Sequence, residues 1–241
     1  MKQIILIFIL SAFGFQSISA QKLKGLLDNV SKKVTPAASG KLSNEDIVSG
    51  LKEALRVGTD SSAKRLSKLD GFFGDAAIKV LMPDEAKKVE TTLRNFGMGS
   101  LVDKAVLSMN RAAEDAASGV GTIFWDAIKK MSITDGLKIL QGGDFAATEY
   151  LKIATTKELT DKFRPVIEAS LIKVDATKYW KDLFSTYNKF SAKQINPDLT
   201  AYVTERALSG LFLKISLEEQ KIRKNPAAQV TDILKKVFGG K

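Results

Sequence analysis

The sequence predicts an all-α fold: a single compact domain of roughly ten helices behind a cleaved signal peptide. Three observations carry this. From Ser43 onward the chain repeats a cap, an apolar stripe at helical spacing and a glycine or proline breaker. No stretch alternates with period two over the length of a strand. No segment within 43–239 is polar and long enough to divide the body into two domains.

The first twenty residues read as an address. Lys2 precedes the apolar run IILIFILSAFGF, and small residues lead to Ala20, the pattern of a secretory signal peptide cleaved before Gln21. The run is short of the roughly 20 residues that a membrane span needs. Residue 21 is Gln, not Cys, so the expectation is a periplasmic protein of a bacterium that is not a lipoprotein. Residues 21–42 form a basic amphipathic helix and a linker. Leu23, Leu26, Leu27, Val30 and Val34 make the stripe, and Thr35 to Lys41 make the linker. That helix either folds back on the body or lies on a membrane surface.

In the body, Ser43 and Asp46 start a helix that Gly58 is expected to stop, and Thr59 starts a second carrying Leu66 and Leu69. The segment 70–74 breaks it, and 76–82 is apolar but of no assignable type. Pro83 opens a helix ended by Gly97. Ser100 and Asp103 are read as caps of an alanine-rich helix with Val102, Val106, Met109, Ala113 and Ala116 inward and Leu107 on the other side. Gly119 and Gly121 interrupt before Ile123 to Ile128. Ser132 and Asp135 cap a short helix ended by Gly142-Gly143. Asp144 caps the next, and Thr155 with Glu158 caps another, with a kink or break near Arg164 because Pro165 lies inside the run. Asp175 caps an aromatic helix. Asn196-Pro197 opens a long run to about Lys224, with a break expected near Ser209-Gly210, and a last helix carries Val230, Ile233, Leu234 and Val237.

The chain has no histidine and no cysteine. This excludes a Ser-His-Asp triad, thiolate chemistry, disulfides, and zinc or iron–sulfur sites of the usual kind. No metal and no cofactor is expected. Formal charge is +10, and residues 151–241 hold most of the excess, with 17 basic against 10 acidic side chains. A basic surface attracts anions, and export makes nucleic acid the least suitable of them. Expected partners are an apolar ligand, an anionic lipid surface or an envelope protein.

Three sets of side chains are candidates for a site. Arg111 and Glu114 lie three apart on one helix face, as an anion clamp, a carboxylate acid or a structural ion pair. Tyr179, Trp180, Phe184 and Tyr187 share helical spacing, as a stacking platform or as core. Arg223 contacts an anion, or is a cation at a helix C-terminus. Ser-x-x-Lys occurs at Ser61–Lys64 and at Ser170–Lys173, without the partner motifs of acylating enzymes.

Six ordered segments carry a resemblance: Asp70-Gly71-Phe72, MNRAAE at 109–114, FWDAIKKMS at 124–132, ILQGGDFAATEYL at 139–151, YVTERALSGLF at 202–212 and IRKNPAAQVTDILKKVF at 222–238. Over about residues 43–239 the chain resembles the exported bacterial proteins of domain of unknown function 4197. The resemblance implies one exported helical domain, with no established activity and no catalytic residues. The expectation is therefore a non-catalytic envelope protein that binds an apolar or anionic ligand or a protein partner. The alternative is a carboxylate-dependent hydrolase of envelope polysaccharide, with Glu114 as its acid.

Overall fold

A computed structural model of the chain describes residues 43–173, 175–177, 180, 181, 185, 188 and 198–225. The signal peptide, the helix and linker of 21–42, most of the helix expected after Asp175, and the last helix lie outside these residues. The fold is all-α, with seven α-helices among the described residues: α1 Asn44–Leu66, α2 Lys87–Asn95, α3 Gly99–Ala117, α4 Gly121–Lys130, α5 Ile133–Gln141, α6 Ala146–Ile172 and α7 Leu199–Lys224. A single 3₁₀ turn, Asp84–Ala86, leads into α2.

Helix α6 lies along both α3 and α7, and α1 closes the arrangement against α4, α5 and α7. Leu151, Leu159, Phe163, Ile167 and Leu171 are all inaccessible, at the spacing that places one α6 stripe in the core. Phe124 of α4 meets Phe212 of α7 edge-on, with centroids 6.1 Å apart. Burying each such side chain contributes about 1.5–3 kcal/mol.

Ser43 caps α1 by accepting the Asp46 N–H, and Ser132 with Asp135 makes a complete capping box on α5. Gly97 and Gly119 have φ of 76° and 74° and end helices where sequence placed the stops. Elsewhere local signals are overridden. α1 runs through Gly58, because its buried face continues from Leu51 and Ala54 through Thr59 and Ser62 to Ala63 and Leu66, while Leu69 lies exposed beyond the helix. Ser100 and Asp103 do not cap α3, whose N-cap is Met98; Asp103 instead accepts from Arg94 at 2.8 Å. Thr155 opens no helix, since its hydroxyl donates to the Leu151 carbonyl of the same α6, and α6 continues past Pro165 to Ile172. α7 does not break at Ser209-Gly210.

The two glycines read as helix breaks, Gly58 and Gly210, differ in surroundings. A Cβ on Gly58 would meet nothing within 4 Å, whereas one on Gly210 would sit 2.9 Å from the Phe72 ring and 3.1 Å from Ile78 Cβ. Gly58→Ala should therefore stabilise the fold by about 0.5–1 kcal/mol, and Gly210→Ala should destabilise it by about 1–3 kcal/mol. Denaturant melts of the two variants check this, and effects of the same sign would contradict it.

Candidate functional site

Between α1 and the 3₁₀ turn the chain runs without regular structure yet buries Phe72, Ile78, Val80 and Met82. Buried backbone needs hydrogen-bond partners, and α3 supplies them from one face. Glu114 Oε1 accepts the N–H groups of Phe72 and Phe73 at 3.0 and 3.1 Å. One turn earlier, Asn110 Oδ1 accepts the Val80 N–H at 2.8 Å, and its Nδ2 donates to the Val80 and Val106 carbonyls at 2.8 and 2.7 Å. Asn110 thus pairs with Val80 as a neighbouring strand would.

Glu114 is 3% exposed, and its second oxygen accepts from Arg111 Nη1 at 2.6 Å. Arg111 Nη2 donates to Asp70 Oδ1 at 2.8 Å. These two carboxylates, Glu114 first, hold the guanidinium above its already high ordinary pKa. Asp70 has φ of 64°, a left-handed conformation that Asp tolerates. Gly71 passes so close to α1 that a Cβ would stand 2.5 Å from the Leu66 carbonyl oxygen. The sequence pair Arg111–Glu114 is therefore an ion pair that anchors a loop. Both Glu114 oxygens are engaged, one by the loop amides and the other by Arg111.

A second buried glutamate does the same work on α6. Glu219 of α7 accepts the Ala147 and Thr148 N–H groups at 2.9 and 2.8 Å, and the Thr148 hydroxyl at 2.8 Å. These are among the N–H groups that a helix start leaves without partners, and a carboxylate there also meets the positive end of the helix dipole. Asp144 does not cap α6; it binds Lys224 at 2.5 Å and Gln220 at 3.1 Å, and both lower its pKa. Arg223 donates to Glu219 at 2.9 Å and to the Ile139 carbonyl at 2.8 Å. Its head group thus lies against protein oxygens of α5 and α7.

Of the aromatic set, Trp180 is buried and stacks on Tyr202 at 6.2 Å with planes 17° apart. Tyr179, Phe184 and Tyr187 lie outside the described residues. Ser170 donates to Asp115 at 2.9 Å. Among the described residues, no three acidic, His or Cys side chains gather as a metal site, and no helix is long and apolar enough to cross a membrane.

The loop anchored by Glu114 forms one wall of a groove of about 560 Å³. Ile78, Met82 and Val106 give it an apolar floor, and Tyr202 and Leu213 of α7 form the opposite side. Four cations line it. Lys87 pairs with Asp84 at 2.8 Å, and Arg94 with Glu90 and Asp103 at 3.0 and 2.8 Å. Lys79 and Arg206 make no carboxylate ion pair among the described residues. Lys79 Nζ lies 3.6 Å from the Phe73 ring centre, and Arg206 lies 5.7 Å from that of Tyr202, whose hydroxyl accepts from Arg206 Nε at 3.5 Å, with Glu205 and Asp84 acting on it only through space. Sequence reading missed Lys79 and Arg206, because 127 positions separate them and no local pattern links them. It also missed Asn110 and Glu219. The i,i+4 spacing of Glu219 and Arg223 was the one available signal, and the adjacent Glu218 obscured it.

These features define a helical domain built around buried carboxylate clamps, with an apolar, cation-bearing groove beside one of them. The chain belongs to the family described as "Protein of unknown function (DUF4197)", whose model matches residues 41–239. No curated protein and no solved structure matches it. The segments that carried the resemblance meet in space. Asp70-Gly71-Phe72 meets MNRAAE through Arg111 and Glu114, and the 139–151 segment meets Arg223 through the Ile139 carbonyl.

Removing Arg111 should cost about 3–5 kcal/mol by stranding the buried Glu114, whereas Arg111, a third exposed, keeps Asp70 when Glu114 is lost. Arg111→Met and Glu114→Gln together should cost less than the sum of the single changes. A double-mutant cycle followed by denaturant melts measures this, and strictly additive losses would refute the coupling.

Proposed function

We propose that this chain is an exported envelope protein without catalytic activity, which binds an apolar or anionic ligand in the groove between the α1–α2 loop and α7. The observation that carries this reading is the pairing of Lys79 and Arg206 with aromatic rings in place of carboxylates, above an apolar floor. The other two groove cations are paired with carboxylates, Lys87 with Asp84 and Arg94 with Glu90 and Asp103, so Lys79 and Arg206 are left to recognise a negative group. An apolar pocket with a few convergent polar groups is the usual form of a small-molecule site. The hydrolase alternative asks for two carboxylates about 5–10 Å apart across a cleft, and Glu114 is committed to the α1–α2 loop. Export rests on the sequence of residues 1–20, and cleavage there makes Gln21 the first residue of protein recovered from an envelope.

The test is fluorescence titration of that protein, after N-terminal sequencing, with 1-anilinonaphthalene-8-sulfonate, which is both apolar and anionic. The double variant Lys79→Gln with Arg206→Gln should bind the dye at least about tenfold more weakly, since each charged hydrogen bond contributes about 1.5–3 kcal/mol. Unchanged affinity in that variant, or no binding to the wild-type protein, would overturn the groove. Recovery of a chain beginning at Met1 would overturn export.

A further inference from the structure

A second groove, of about 530 Å³, lies between α6 and α7. Ser209 and Leu213 line both grooves, so the two adjoin along one ridge of α7. Leu213 is 39% exposed on that ridge. At 1.5 Å per residue it lies about 10 Å along the helix from Arg206.

The second groove contains many hydroxyl residues, yet its surface is more apolar than the sequence suggests. The hydroxyls of Thr156, Thr160 and Thr204 donate to the carbonyls of Lys152, Thr156 and Thr200, each four residues back on its own helix. A threonine bonded this way has used its proton within the helix and offers its methyl group to a neighbour. Phe145, Leu208 and Phe212 complete the apolar lining, with Phe145 43% exposed. The charged lining side chains Glu149, Lys152, Arg164 and Glu205 are exposed, which lets their heads stay in water, and Arg164 is paired with Asp198 at 2.6 Å.

The first groove therefore has an anion-seeking end and an apolar floor, and the second continues it with methyls and rings. We propose that the two grooves form one binding channel for a single-chain anionic amphiphile. Its head group lies at Lys79 and Arg206, and its alkyl chain crosses Leu213 into the α6–α7 groove. This rests on the reading of the first groove given above and adds the ligand's chemical class and its direction. Charge complementarity fixes the head at the first groove, and the methyl lining fixes the chain in the second.

Isothermal titration of the full mature chain with butyl, octyl and dodecyl phosphate, each below its micelle concentration, tests the channel. Affinity should rise about twofold per added methylene, as half-burial of each group gives, or roughly 250-fold over the eight methylenes from butyl to dodecyl phosphate. Thr156→Glu, at an exposed position on α6 that lines only the second groove, should flatten the gain between octyl and dodecyl. A flat series in the wild-type protein, with butyl phosphate bound through Arg206 as judged by Arg206→Gln, would overturn the channel and leave the single groove standing. An undiminished gain in Thr156→Glu would overturn the placement of the chain. Failure of every alkyl phosphate to bind would overturn the channel and the head-group site together.

Discussion

The segment between α1 and the 3₁₀ turn has to bury Phe72, Ile78 and Val80 without helix or sheet to pair its backbone. An unpartnered buried N–H costs about 1–3 kcal/mol, so the three of Phe72, Phe73 and Val80 would offset much of a domain's net stability of about 5–15 kcal/mol. Glu114 and Asn110 remove that cost from one face of α3. The rest of the structure follows from this contact. With the loop pinned, Phe72 and Ile78 pack on α7, Gly210 becomes obligatory, and a groove wall stands opposite Tyr202.

The same device recurs at the start of α6, where Glu219 takes two consecutive N–H groups. In both places an arginine on the glutamate's own helix sits on the carboxylate, three residues before Glu114 and four after Glu219. A buried carboxylate is costly unless paired and hydrogen-bonded, and each glutamate here has an arginine and two amides. Each arginine then reaches a further segment, Asp70 in one case and the Ile139 carbonyl in the other. The Arg111–Glu114 pair and Arg223, which sequence offered as candidates for ligand contact, thus have polar groups turned onto the protein itself.

The fold class was legible because helical periodicity and caps are local. Ser132 with Asp135, Gly97 and Gly119 behave as read. Errors fell where tertiary packing outweighs a local signal. Gly58 interrupts nothing because core contacts continue on either side of it, and Gly210 marks a close approach of the loop and not a helix end. Asp144 looked like a cap and is displaced by Glu219, which lies 75 positions further on. The Arg111–Glu114 contact was readable from spacing, but what it holds was not, since Phe72 and Phe73 are about forty residues away. Lys79 and Arg206 come to line one groove only through the folded loop.

The groove's shape depends on the anchored loop, and so does any ligand it takes. Native-state hydrogen exchange resolved by amide tests that anchor most directly. Phe72, Phe73 and Val80 lie in an irregular segment, where exchange is ordinarily fast, yet their N–H groups donate to buried side chains. These three amides should exchange as slowly as those of the α6 core around Leu159 and Phe163. Exchange at the rate of an open loop, with the α6 core still protected, would contradict the account.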